Sequence, residues 1–129
     1  MKQSYIFLIT FLSVILFSCT PDSPVTPTTP VGTNVEYQFT ASNPSTTFVI
    51  YQNDKDGNFI SGVYSTGWKA SFIPTNLPFT ASLQVLDNNQ PFSNVTVTLK
   101  ILKNGIVVKE STSTLTTNNR TLQIQTAIN

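Results

Sequence analysis

From Asn34 onward, apolar and polar residues alternate in short runs. The run Val35–Ala41, VEYQFTA, is typical, and Phe79–Val85, Val95–Ile101 and Leu122–Gln125 follow the same period of two. Successive side chains of a strand point to opposite faces, so each run predicts a strand with one core face and one solvated face. No stretch of ten residues has a convincing helical period.

Turn residues separate these runs. Asp56-Gly57 and Asn104-Gly105 each suit a type I′ hairpin, because glycine accepts a positive φ at little cost. Further turns are expected at Asn88–Pro91 and Thr117–Asn119, and a loop at Pro74–Pro78. Seven or eight short strands at this spacing predict an all-β domain, an antiparallel two-sheet sandwich of Ig-like type. The Asn104-Gly105 turn joins the predicted strands Val95–Lys103 and Ile106–Thr112. The remaining strand segments are Thr47–Asn53, Asn58–Ser65 and Trp68–Ile73.

The beginning of the chain has a different pattern. Lys2 precedes a nearly continuous apolar stretch, Tyr5–Phe17, which is shorter than the roughly 20 residues that a membrane-spanning helix needs. A charged start, a short apolar core and a small-residue exit are typical of a secretory signal. The run Leu16–Cys19 resembles a bacterial lipobox, whose cysteine is lipidated and becomes residue one of the mature protein. An ordinary signal peptide cleaved elsewhere and an uncleaved anchor remain the alternatives.

Cys19 is the only cysteine of the chain. A secreted fold held by disulfides carries an even set of cysteines, so the count favours lipidation of Cys19. Lipoproteins of this kind carry a diacylglyceryl group and usually a further acyl chain such as palmitate, which together give stable anchoring. We therefore expect a lipid-anchored protein of a Gram-negative-type cell envelope, facing the periplasm or the surface, with the outer membrane favoured over the inner.

Residues 20–33, TPDSPVTPTTPVGT, are rich in proline and threonine. Proline favours extended polyproline II, so this segment reads as a semi-rigid spacer that reaches roughly 40 Å. The predicted organisation is a signal peptide in residues 1–18, the lipidated cysteine and linker in residues 19–33, and a β-sandwich domain in residues 34–129.

Composition limits the chemistry. The chain has no histidine, which excludes a serine triad, a cysteine–histidine pair and the usual zinc sites. After removal of residues 1–18, six basic side chains balance six acidic ones, and this balance gives no reason to expect nucleic-acid binding.

Carboxylates are the remaining candidates for catalysis or metal binding. Paired carboxylates hydrolyse glycosides in some enzymes, but we expect Glu36, Glu110, Asp87 and the others to be solvated. Asp54–Gly57 does not match an EF-hand, because placing Gly57 sixth puts Val63 at the twelfth position, where a glutamate is required. We predict a protein that is not an enzyme, with no catalytic, cofactor-binding or metal-binding residue.

Aromatic residues are the candidate contacts for a partner or a glycan. Trp68 is the only tryptophan, and Tyr51 and Tyr64 lie in neighbouring predicted strands. Trp68 has two interpretations: a ring that stacks on sugars, or a tryptophan that closes one edge of the core. We expect Tyr37, Tyr51 and Tyr64 to be amphipathic edge residues as well.

The order of several segments resembles the MmpS family, small mycobacterial membrane proteins that assist RND-type exporters of lipids or siderophores. The matching segments are Val35–Phe39, Val49–Tyr51, Asp54–Gly57, Trp68, Phe79–Leu83, Val97–Ile101, Asn104-Gly105 and Val107–Glu110. The resemblance implies an MmpS-like β-rich domain behind an anchor, an interaction role, and no cofactor. Thr66-Gly67 stand where the family has Leu-Pro, and the family uses a spanning helix in place of a lipid.

Three functions follow as hypotheses. The first is a non-catalytic envelope lipoprotein that contacts another envelope protein, a transporter or a polymer, through edge strands open to pairing and exposed aromatic residues. The second is a carbohydrate-binding surface module that uses Trp68. The third is an enzyme that uses carboxylates alone, which would need two of them in one cleft.

Overall fold

A computed structural model describes residues 32–43, 47–53, 58–88 and 93–129, all of them within one compact unit, Val31–Asn129. Every regular element of these residues is a strand. In chain order they are β1 (Val35–Ala41), β2 (Thr47–Gln52), β3 (Phe59–Tyr64), β4 (Lys69–Phe72), β5 (Phe79–Leu86), β6 (Val95–Lys103), β7 (Ile106–Leu115) and β8 (Thr121–Ile128). Among the described residues, no helical segment has the length and apolar character needed to span a bilayer.

The eight strands form two antiparallel sheets of four, which confirms the predicted sandwich. One sheet has the order β4-β1-β6-β7 and the other β3-β2-β5-β8. Only β2–β3 and β6–β7 pair as hairpins between consecutive strands, and every other consecutive pair lies in opposite sheets. Both sheets therefore depend on pairings between strands that are distant in sequence, such as β1 with β6 and β5 with β8.

The predicted alternation decides which side chains fill the space between the sheets. Residues at every second position of β1, β5 and β6 are buried, and their neighbours face outward. They form one continuous apolar core, to which both sheets contribute. A domain with its own closed core meets the requirement for independent folding. The core residues of these three strands are Val35, Tyr37, Phe39, Phe79, Ala81, Leu83, Val85, Val95, Val97, Leu99 and Ile101.

The turn between β6 and β7 is the predicted type I′ hairpin. Asn104 and Gly105 have φ values of 51° and 80°, and the flanking Lys103 and Ile106 are paired. Asn104 also holds the first residue before β1, because its N–H donates to the Asn34 carbonyl and its Oδ1 accepts from the Asn34 N–H, both at 2.8 Å. The chain therefore enters the domain directly beside the tip of this hairpin.

Tyr37 joins the two sheets through its hydroxyl group. Its side chain is fully buried, and its Oη donates to the Gln52 carbonyl of β2 at 3.0 Å and accepts from the Ser82 N–H of β5 at 3.3 Å. The β2–β5 pairing ends one step earlier, at Tyr51 opposite Leu83. The Tyr37 hydroxyl thus replaces the next bond of that ladder and satisfies two backbone groups. Burial raises the pKa of this phenol well above its usual value.

Replacing Tyr37 by phenylalanine is expected to lower the free energy of unfolding by about 1–3 kcal/mol, because it leaves the Gln52 carbonyl and the Ser82 N–H without their partner. Urea unfolding of the domain measures the difference. Tyr64→Phe is the matched control: it removes a hydroxyl from a half-buried ring and should change stability by no more than about 0.5 kcal/mol. Equal losses in the two variants would contradict the assigned role of Tyr37.

The raised pKa of Tyr37 predicts a loss of stability in alkaline solution. Below about pH 10 the phenol is neutral in the folded and unfolded chains, and the stabilisation is fully present. As the pH rises above about 10, the unfolded phenol ionises first, so the free energy of unfolding falls. Urea unfolding at increasing pH should give a shallower decline in Tyr37→Phe than in the wild type. Equal declines in the two proteins would refute this prediction. The titration of lysines lowers the stability of both proteins alike and therefore cannot produce a difference between them.

Candidate functional site

The predicted signal segment, the predicted lipidation site, Cys19, and the linker as far as Val31 lie outside the described residues, as does the Asp56-Gly57 turn. The candidate contact residues Trp68, Tyr51 and Tyr64 are all described. They lie on the side of the domain where the edge strands β3 and β4 face each other across the gap between the sheets.

Trp68 is held by a turn that is bonded to β1. The Phe39 N–H donates to the Trp68 carbonyl and the Gly67 N–H donates to the Phe39 carbonyl, both at 3.0 Å. The Thr66 Oγ1 accepts from the Ala41 N–H at 2.8 Å. Gly67 has a φ of 87°, which residues with a Cβ rarely adopt. These bonds fix the direction in which the indole leaves the backbone.

Tyr64 reaches Trp68 by lying across a glycine. A Cβ added at Gly62 would stand 2.7 Å from the Tyr64 Oη and 2.8 Å from its Cζ, so the phenol ring covers the backbone of the glycine. Gly62 and Tyr64 are two apart in β3 and face inward together. The absence of a side chain at position 62 therefore makes room for the Tyr64 ring within the gap between the sheets.

The three candidate residues form one group of tilted, contacting rings, here called the lateral aromatic cluster (Tyr51, Tyr64 and Trp68). The ring centroids of Tyr64 and Trp68 are 4.8 Å apart, and those of Tyr51 and Trp68 are 5.1 Å apart. Both separations fall in the favourable range for aromatic pairs, each worth about 0.5–1.5 kcal/mol beyond area burial. On its inner side Tyr51 contacts Tyr37, and the centroids of these two rings are 5.6 Å apart.

This geometry favours the second interpretation of Trp68, a tryptophan that closes the edge of the core. All three rings are half-buried and pack against the core, and the indole stacks on two tyrosines. The pKa of Tyr51 is raised by burial and further by the nearby Tyr64, so its phenol stays neutral at neutral pH. The expectation that Tyr37 is an edge residue is wrong, because it lies in β1 between β4 and β6 and is fully buried.

The described carboxylates do not form a cleft. Glu36 lies on β1 and pairs with Lys69 at 3.8 Å, and Glu110 lies on β7 and pairs with Lys100 at 3.3 Å. The expectation that every carboxylate is solvated is wrong for Asp87, which is 2% exposed at the end of β5. Its N–H donates to the Arg120 carbonyl at 3.0 Å, which continues the β5–β8 ladder one step beyond Leu86.

The described part of the chain contains no group of three or more acidic, cysteine or histidine side chains placed to hold a metal ion. A scan against models of known protein families and a search of the curated proteins find no match to this chain. The likeness to the MmpS family therefore stands on the sequence segments alone.

Sequence reasoning missed a group of exposed apolar side chains. Ile106, Val107 and Val108 follow the Asn104-Gly105 turn in unbroken succession, and all three are exposed. The signal was present in the sequence, because three consecutive apolar residues depart from the alternation of apolar and polar residues that the buried strands show.

A methyl group at position 62 tests how the cluster is built. In Gly62→Ala the new Cβ would collide with the Tyr64 ring, so we expect the ring to swing away and the emission of Trp68 to shift to longer wavelength. Because Trp68 is the only tryptophan, the fluorescence spectrum of the folded domain reports it directly. Ser61→Ala, on the outer face of the same strand, is the control that should leave the spectrum unchanged. An unaltered spectrum in folded Gly62→Ala would show that Tyr64 does not cover the indole.

Proposed function

We propose that this protein is a lipid-anchored protein of the cell envelope that acts by non-catalytic surface contact. The observation that carries the proposal is the run Leu16–Cys19, which ends a short apolar segment with the only cysteine of the chain. The proline-rich linker follows at once, and the independently packed sandwich begins where the linker ends. Lipid, spacer and domain then form a tethered binding module, with the outer membrane as the favoured location.

Edge strands support a role in protein contact. β3 and β4 each pair on one side only, so their other side presents backbone N–H and carbonyl groups that a partner strand can bond. Val63 of β3, Phe48 of β2 and Leu86 of β5 are also opposite one another on the outer face, which gives this edge an apolar row. The partner class is an envelope protein, and the MmpS resemblance points to an envelope transporter. Photo-crosslinking from position 63 in intact cells, followed by mass spectrometry, identifies it.

A carbohydrate-binding surface module is the alternative. The observation in its favour is that Tyr51, Tyr64 and Trp68 lie together and stay partly exposed. The observation against it is that the rings stack on one another, which leaves less ring face for a sugar. Calorimetric titration of the domain with envelope polysaccharides decides between the two, and saturable binding that is lost in Trp68→Ala would favour the module.

The anchor itself gives the sharpest test. Cells fed an alkynyl fatty acid should label the wild-type protein, and Cys19→Ala should lose the label, because the thiol that carries the lipid is gone. Ser18→Ala is the matched control, since it keeps a small residue before the cysteine and should retain the label. Equal labelling of the wild type and Cys19→Ala would refute the proposal.

A further inference from the structure

The exposed apolar side chains are gathered at one end of the sandwich. Among the described residues, seven large apolar side chains are exposed, and six of them lie where β1, β3 and β7 begin and where β4 and β6 end. The pairing of Val35 with both Phe72 and Lys103 shows that the ends of β1, β4 and β6 are level. The bond from Tyr37 to Gln52, the partner of Phe59, places the start of β3 at the same end. We call this region the tether end, and its six side chains are Phe59 (61% exposed), Ile73 (61%), Leu77 (47%), Ile106 (71%), Val107 (43%) and Val108 (40%).

The opposite end has a different character. Its described connections are made of small polar residues that are mostly exposed, and Val63 is the exposed apolar side chain nearest to them. The exposed large apolar side chains of the described residues are therefore concentrated at the tether end, the apolar end, although exposed polar residues such as Asn58, Asn76 and Asn104 lie there too. We call the opposite end the polar end. The polar residues are Ser42, Asn43, Ser65, Thr66, Asn88, Ser93, Asn94, Thr117, Asn118 and Asn119.

The hairpin tip is the most prominent part of the tether end. The register of β6 and β7 shifts between Ile101 and Leu102, so Val108 is an extra residue in the pairing. Such a bulge twists a strand and changes the direction of its side chains. Because the Asn104-Gly105 turn is bonded to Asn34, the tip is held rigidly while Ile106 and Val107 remain in contact with water. A water-exposed run of this kind indicates a contact surface.

The tether defines what faces this surface. Cys19 precedes Asn34 by 15 residues, and the chain joins the domain at Asn34, beside the hairpin tip. Along the chain, a lipid on Cys19 is therefore closer to the apolar end of the domain than to its polar end. This argument rests on the proposed function.

We infer that the tether end rests on the lipid surface, with Ile106 and Val107 inserted at the boundary between headgroups and acyl chains. Hydrophobic burial drives the contact. Two basic residues lie at this end, Lys103, which donates from Nζ to the backbone oxygen of Asn129 at 2.6 Å, and the exposed Lys109, and both keep their charges. The lipid anchor supplies one hydrophobic attachment and the apolar end a second. The domain then stands with its polar end away from the membrane and with β3 and β4 accessible from the side.

Depth measurements on the full-length lipoprotein test this orientation. The protein is reconstituted into phosphatidylethanolamine–phosphatidylglycerol vesicles after Val107→Cys is labelled with an environment-sensitive fluorophore, and Asn118→Cys provides the matched label at the polar end. We expect nitroxide-bearing lipids to quench the label at 107 severalfold more than the label at 118. If an aqueous quencher reaches the label at 107 as readily as the label at 118, the inference is overturned. Shielding of the label at 107 in the absence of lipid would also overturn it, because a second copy of the protein would then cover this end.

A second measurement separates this inference from the anchor. The domain from residue 31, which lacks Cys19, is sedimented with the same vesicles, and Ile106→Ser should weaken its binding about tenfold while Val63→Ser leaves it unchanged. Loss of binding in Val63→Ser and not in Ile106→Ser would overturn the inference. Vesicle binding through Ile106, together with absence of acylation at Cys19, would support the inference and refute the lipid anchor. Acylation of Cys19 without Ile106-dependent vesicle binding would support the lipid anchor and overturn the inference.

Discussion

The bond network of the Tyr37 hydroxyl is the interaction on which the shape of this domain depends. β2 and β5 pair as far as Tyr51 and Leu83, and the next pair, Gln52 and Ser82, is joined through Tyr37 instead of directly. A buried carbonyl and a buried N–H without partners would each cost about 1–3 kcal/mol, so the strands can separate here only because a phenol from the other sheet satisfies both. The same side chain therefore links the two sheets at the point where the β2–β5 ladder ends.

The lateral aromatic cluster closes one side of the sandwich, next to the ring of Tyr37. β3 and β4 are the edges of different sheets and do not bond to each other, so their side of the sandwich must be closed by side chains. Tyr64 and Trp68 close it, and Tyr51 connects them to Tyr37. A ring set used in this way has a structural role first. The surface that distinguishes this protein from an ordinary sandwich is therefore its apolar end, where Ile106 and Val107 stand beside the point at which the chain enters.

Particular elements show how far sequence reasoning reached. The bounds of β1 and β6 were predicted to the residue, because alternation with a buried face leaves little freedom of register. The Asn104-Gly105 turn was predicted from its dihedral requirement and confirmed. The exposure of Tyr37 and Asp87 was predicted wrongly, because the burial of a side chain depends on which strands and loops cover it and not on the local sequence pattern. The nearness of Tyr51, Tyr64 and Trp68 followed from which edges face each other, which the sequence does not state.

By itself the sequence determined that the domain is all-β, where its strands lie and which face of most strands is buried. It also determined that a segment with a charged start, an apolar core and a final cysteine precedes a proline-rich spacer. These are local properties, set by side-chain period and backbone dihedrals. Only the tertiary structure decided that two consecutive pairs form hairpins while the others change sheet, that Tyr37 bonds across the layers, and that the exposed apolar side chains share one end. Those features depend on contacts between residues far apart in the chain. A turn sequence is the same whether the next strand returns to its own sheet or crosses to the other, so the turns could not predict them.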